Sequence, residues 1–167
     1  MSVDQHRAHG TRAVSCAIVT VSDTRTAATD TSGAMVRDLL VQAGHVVTGT
    51  VILPDEPARV RAHVETLLDD PTVDAVLVNG GTGLAPRDST YEAIAGLLEK
   101  RLDGFGELFR MLSYEQIGAA AMLSRAVAGV ARGKIVASMP GSTAAVELAM
   151  SKLLVPELGH MVKLARG

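Results

Sequence analysis

The chain has 167 residues, 47% hydrophobic and 20% charged, which suits one domain with an ordinary core and excludes disorder along its whole length. Its 16 Lys and Arg against 18 Asp and Glu leave a net charge of −2, without the basic excess of a general nucleic-acid binder. Two Tyr, two Phe and no Trp give few platforms for stacking bases, and the single Cys16 excludes an internal disulfide or a zinc cluster.

No run of about eighteen apolar residues is present, so no membrane-spanning helix is expected. Met1 to Arg12 is polar, lacks the apolar centre of a signal peptide, and reads as a flexible tail before a domain from Ala13 to Gly167. His6 and His9 in it have no third or fourth metal ligand nearby. These features predict a cytoplasmic protein with neither membrane nor nucleic acid as partner.

Ala13 to Val21 is a short β-branched run and predicts a buried strand. Asp30-Thr31-Ser32-Gly33 offers cap residues for a helix ending at Gly44. His45 to Leu53 predicts a second strand, closed by Pro54-Asp55-Glu56-Pro57, and Val60, Val64, Leu67 and Leu68 have helical spacing. Ala75 to Val78 is a third strand, followed by Asn79-Gly80-Gly81-Thr82-Gly83. Ser89 and Glu92 are spaced as a capping box, predicting a helix from Ser89 to about Leu98. Gly104-Phe105-Gly106-Glu107 breaks that pattern, and a long Ala/Met/Leu segment runs from Leu108 to Val130 with interruptions near Ser113 and Gly118. Lys134 to Met139 is a fourth strand, Pro140-Gly141-Ser142 a turn, and Thr143 to Leu154 a helix stopped by Val155-Pro156 before a last helix to about Leu164. Strands alternating with helices predict one α/β domain, three-layered, with a mainly parallel sheet.

Ligands of such sheets bind outside the carboxyl ends of the strands. Four strand-end loops carry polar residues there: Ser22-Asp23, Asp55-Glu56, Gly80 to Asp88, and Pro140-Gly141-Ser142. In Gly80-Gly81-Thr82-Gly83 the missing side chains let backbone N–H groups approach a phosphate, and a following helix N-terminus would add positive charge. No Gly-Lys-Ser/Thr follows, so it is not a Walker loop, and a plain tight turn is the alternative. Asp88 beside this loop would repel a phosphate unless it serves Mg²⁺ or an orienting hydrogen bond; a second helix cap is its structural alternative. For Asp55, ordinary turn chemistry stands beside the functional reading. Ser113 and Ser124 lie on or between helices, and Arg125 is expected in a surface ion pair. No G-x-S-x-G elbow suggests a serine nucleophile, the histidines match no metal motif, and Cys16 in a buried strand should be inert.

Seven stretches, in order along the chain, resemble the MoaB/Mog family of molybdenum-cofactor biosynthesis, whose fold the gephyrin G domain shares. They are Val21 to Arg25, Asp30 to Gly33, Pro54-Asp55-Glu56, Gly80 to Gly83 with Arg87-Asp88, Gly104 to Glu107 with Phe109-Arg110, Ser124-Arg125-Ala126, and Met139 to Ser142. The stretch from Arg110 to Gly118, with Ser124 to Gly129 and Met139 to Thr143, is most similar to the MoaB branch. The resemblance implies adenylyl transfer from ATP to the terminal phosphate of molybdopterin, releasing pyrophosphate. It assigns catalysis and Mg²⁺ to Asp55 and Asp88. Molybdopterin and ATP would be held by Ser22, Asp23, Gly80, Gly81, Thr82, Gly83, Ser113, Ser124, Pro140, Gly141 and Ser142. A non-catalytic molybdopterin-binding scaffold of the same fold is the alternative. The resemblance also implies a homotrimer or a hexamer, and a downstream molybdate-inserting protein as a partner. The apolar segment from Met111 to Leu123 has more apolar surface than one small sheet easily covers, although core packing would explain it too.

Overall fold

The computed structural model describes residues 12–167; the N-terminal stretch read as a tail, with His6 and His9, lies outside them except for Arg12. A six-stranded sheet has the order β2-β1-β3-β6-β5-β4. Its strands are β1 (Ser15–Val21), β2 (Val46–Leu53), β3 (Ala75–Asn79), β4 (Lys100–Arg101), β5 (Val127–Ala131) and β6 (Lys134–Met139). The four expected strands are the parallel ones, pairing as β2-β1, β1-β3 and β3-β6. β5 and β4 add an antiparallel edge that the sequence pattern did not show.

Helices cover both faces. α1 (Thr31–Gln42), α4 (Asp103–Ile117), α5 (Thr143–Ala149) and α6 (Val155–Arg166) pack one core around Ile18, Leu77, Ile135 and Met139. α2 (Pro57–Asp69) and α3 (Thr90–Ala95) pack the other around Val19, Val76, Val78 and Val136. Alternate residues of each central strand therefore face opposite cores, which is why these strands read as continuous apolar runs. Asp30 caps α1 as expected, accepting from the Gly33 amide at 2.9 Å, and Gly44 follows its end with φ +82°. Cys16 is fully buried, and burial pushes its thiol up to about 12, the state of an inert thiol.

Three expectations are corrected. Gly104 to Glu107 lie inside α4 rather than breaking a helix, because Phe105 and Phe109 anchor that helix in the core. The Leu108–Val130 segment is interrupted near Gly118 as expected but not at Ser113, which lies inside α4: that helix ends at Gly118, with φ +63°, a 3₁₀ helix spans Gly118–Leu123, and β5 follows. Pro156 does not stop the last helices. A π turn over Met150–Leu154 joins α5 to α6, and Pro156 falls in the first turn of α6, beside that wide turn, where its missing N–H is tolerated.

Candidate active site

β1, β3 and β6 end on the same side of the sheet, and a cavity of about 550 Å³ opens there. The chain leaves β1 toward β2 but leaves β3 toward the other edge, so the loops after β1 and β3 part and leave a crevice. Its walls come from the loops after β1, β3 and β6, with Phe109, Ser113 and Ile117 of α4 and Leu123-Ser124 closing the far side.

The glycine loop is shaped by close approach. Gly80 and Gly81 have φ of +98° and +67°, and a Cβ on them would sit 2.1 Å from the Val21 carbonyl oxygen and 2.0 Å from Thr90 Oγ1. A Cβ on Gly141 would lie 3.0 Å from Gly80 Cα, so the loops after β1, β3 and β6 meet backbone against backbone. The Gly80 amide is spent on the Met139 carbonyl at 3.0 Å, whereas the amides of Gly81, Thr82 and Gly83 have no acceptor in the described chain. These are the donors an anion would find.

No helix opens directly from this loop. α3 begins at Thr90 and is six residues long, and its N-cap Ser89 makes no side-chain capping bond, contrary to the capping-box reading. The Ser89 hydroxyl instead donates to Asp55 Oδ1 at 3.1 Å, and Glu92 is taken by Arg125. A buried carboxylate and a guanidinium outcompete the helix's own amides for these side chains.

Asp55 is 7% exposed and sits behind Gly81 rather than on the cavity wall. Burial raises its pKa, reinforced by the charges of Asp88 and Asp23 and opposed by the Ser89 hydrogen bonds. Its Oδ2 takes no hydrogen bond, and Thr90 Oγ1, buried and also without a partner, lies against the same glycine. Asp88 does line the cavity, and its Oδ2 accepts from the Ala85 amide at 3.2 Å. Asp23 is outside the wall, paired with Arg87, whose hydrogen bonds hold that carboxyl down to about 2.

Two arginines fasten the loops. Arg125 is not a plain surface ion pair: besides Glu92, it donates to the carbonyls of Thr82 (3.1 Å), Gly83 (2.7 Å) and Asp88 (3.1 Å). Arg25 donates to Ser32 Oγ at 2.5 Å and to the Gly141 carbonyl at 3.3 Å, joining the loops after β1 and β6. Beneath them Thr20, Asp30, Ser32 and Asn79, all buried, form a closed chain of bonds. Thr20 Oγ1 donates to Asp30 (2.7 Å), Asn79 Nδ2 to Thr20 Oγ1 (3.1 Å), and Ser32 Oγ to Asn79 Oδ1 (2.8 Å). A satisfied polar network of this kind fixes the cavity floor in one arrangement.

The family model described as "Probable molybdopterin binding domain" matches residues 17–160. The chain belongs to this family. Its relatives include molybdenum cofactor biosynthesis protein B of Halalkalibacterium halodurans, 52% identical over 164 residues, spanning 98% of this chain and 96% of that one. The protein of the same name in Bacillus subtilis is 51% identical with the same coverage. Among solved structures, a molybdenum cofactor biosynthesis protein B superposes with a TM-score of 0.90 at 52% identity, over 92% of this chain and 96% of the other. The tungsten cofactor synthesizing protein MoaB from Pyrococcus furiosus gives 0.84 at 34%, over 93% and 99%. The protein is thus a member of a molybdenum cofactor biosynthesis family, with the MoaB/Mog fold.

Within this molybdopterin-binding family fold, Ser22, Gly80, Gly81, Thr82, Gly83, Asp88, Ser113, Ser124, Pro140, Gly141 and Ser142 share one cavity wall, while Asp23 and Asp55 lie beside and behind it. Sequence reasoning missed Arg125 as the fastener of the glycine loop and attached nothing to Asn79, which ties β3 to α1. An arginine's three carbonyl partners at 37 to 43 residues' separation leave no local signal.

Proposed function

We propose that this protein transfers the adenylyl group of ATP to the terminal phosphate of molybdopterin. A phosphate oxygen of the pterin attacks the α-phosphorus, a new P–O bond forms, the bond to the β-phosphate oxygen breaks, and pyrophosphate leaves with that electron pair. No protein nucleophile is needed, so the chain contributes position and charge stabilisation. One observation carries this reading: Gly81, Thr82 and Gly83, whose amides have no acceptor among the described residues, line a cavity whose rim also holds Asp88, a carboxylate with no ion-pair partner among them. Amides bind phosphate; a carboxylate beside them serves a cation or an orienting hydrogen bond.

The oxygen set fits Mg²⁺. Among the described residues Asp55 Oδ2 has no hydrogen-bond partner and Thr90 Oγ1 is buried without one, and Asp88 is near enough for its charge to raise Asp55. Among the described residues no group of three or more His, Cys, Asp or Glu could hold a metal by itself, which suits an ion that takes one or two carboxylates and completes its shell with substrate phosphates and water. Asp55 and Asp88 would hold it, and when bound it would neutralise phosphate charge. Arg125 keeps the Thr82, Gly83 and Asp88 backbone in register with the amides, and Ser142 and Ser113 line the opposite walls.

Pyrophosphate release from ATP tests the reading. Release that requires both molybdopterin and Mg²⁺ supports it. Molybdopterin binding with no release at any Mg²⁺ concentration replaces it with the scaffold reading, and release unchanged by EDTA removes the metal assignment.

A further inference from the structure

A second cavity, about 440 Å³, is lined by Ser124, Arg125 and Ala126 and adjoins the first at Ser124. Ser124 lines both, and its hydroxyl oxygen is buried without a hydrogen-bond partner. Three arginines border this space: Arg101, Arg110 and Arg125. Arg101 and Arg125 both lie over the Tyr91 ring, at 6.0 and 5.1 Å from its centroid.

The three guanidinium groups are not equally committed. Arg125 is spent on Glu92 and three carbonyls, and Arg101 is partnered by Asp103 at 3.6 Å and by the Tyr91 hydroxyl. Arg110 is half-buried, yet among the described residues it makes a single long bond, 3.4 Å to the Ser124 carbonyl, and has no carboxylate partner. Glu107, one turn earlier on α4, lines the same cavity without reaching it. The Arg110 guanidinium lies where a Cβ on Gly106 would sit 2.9 Å away, so the glycine makes room for it. A partly desolvated guanidinium with most donors unused, beside an unpartnered hydroxyl, lacks only an oxyanion.

We propose that this second cavity is a binding site for a phosphate-class oxyanion, held by the Arg110 guanidinium and the Ser124 hydroxyl with Arg101 at its rim. The site rests on the geometry of this cavity and not on adenylyl transfer. The two cavities share Ser124 in their linings, so a phosphate group of a ligand bound in the first is one source of that oxyanion. A free phosphate ion offers the same chemistry.

Calorimetric titration of the full chain with inorganic pyrophosphate, orthophosphate and AMP, for wild type, Arg110→Gln and Ser124→Ala, tests the proposal. Arg110→Gln is expected to weaken pyrophosphate binding at least tenfold with AMP affinity unchanged. Orthophosphate weakened in parallel shows that one phosphate group suffices; orthophosphate unaffected shows that an extended chain is required. Pyrophosphate affinity unchanged in Arg110→Gln, or AMP weakened as much as pyrophosphate, overturns the proposal. Ser124→Ala removes a hydroxyl that bonds to nothing among the described residues, so it keeps the fold and should weaken pyrophosphate in the same direction. If Arg110→Gln lowers the melting temperature, Arg101→Gln, at the rim of the second cavity and not of the first, decides in its place, and unchanged pyrophosphate affinity there overturns the proposal.

Discussion

Replacing Asp88 by Asn separates a catalytic carboxylate from a structural one. Asp88 Oδ2 accepts one hydrogen bond, from the Ala85 amide at 3.2 Å, and packs against Gly83. Asn has the same shape, and its carbonyl oxygen can accept that bond, so the turn survives. The charge it removes is one of those that hold the Asp55 pKa up, after burial itself, so its loss relieves the neighbouring buried carboxylate. Stability should then change by no more than about 0.5 kcal/mol, which for a chain of this size moves Tm by about 1–2 °C. A charge that acts on the reacting phosphates behaves otherwise. Removing one preorganised electrostatic group costs about a hundredfold to a thousandfold in kcat. Thermal melting and molybdopterin-dependent pyrophosphate release, measured on one preparation, give both numbers. A wild-type kcat in a folded Asp88→Asn protein would refute the assignment. A Tm lowered by about 5 °C or more would show instead that Asp88 holds the loop.

Gly81→Ala should cost about 2–4 kcal/mol in urea unfolding, because its Cβ lands 2.0 Å from Thr90 Oγ1 at a φ of +67°; a loss under about 0.5 kcal/mol would mean that the loop relaxes freely. Asp55 carries a raised pKa, so its ionised form costs stability above the folded-state pKa, and that cost fades as pH falls toward the ordinary carboxylate value of 3.8. Asp55→Asn should accordingly gain more stability relative to wild type at pH 7 than at pH 3.5, and an equal difference at both would contradict the burial argument. Met111, Tyr114, Ile117, Met122 and Leu123 are each at least half exposed, so much of the apolar segment is surface, although Ala121 is buried and Leu112 packs against the core. Copies of the chain are expected to associate there as a trimer or hexamer, with Met122→Glu lowering the sedimentation coefficient; a wild-type monomer at micromolar concentration would end that expectation.

The central strands were legible because burial on both faces demands continuous β-branched runs, and Val76 to Val78 or Ile135 to Ala137 show nothing else. Asp30 and Gly44 were legible for a similar local reason: a cap and a left-handed residue act within three or four positions of the helix they bound. β4 and β5 were not. Lys100-Arg101 is too short and too charged to announce a strand, and Val127–Ala131 becomes one only because β6 offers its free edge. Ser89 misled for the converse reason, since its capping pattern is local but the partner it took, Asp55, lies 34 residues away.

The sequence by itself determined the alternation of strands and helices, the placing of polar and glycine residues at strand ends, and the absence of any nucleophile motif, all of which depend on neighbours along the chain. Which of those residues share a wall was decided by tertiary structure. The parting of the chain at β1 and β3 sets the crevice, and only a residue without a side chain lets Gly80 lie against Val21, far from it in sequence. Arg125 and Arg110 make the same point from opposite sides. In the sequence Arg125 reads as a surface ion pair and Arg110 only as part of a family-like stretch, yet folding surrounds one with carbonyls and leaves the other with donors to spare, because desolvation and partner geometry are properties of the packed chain.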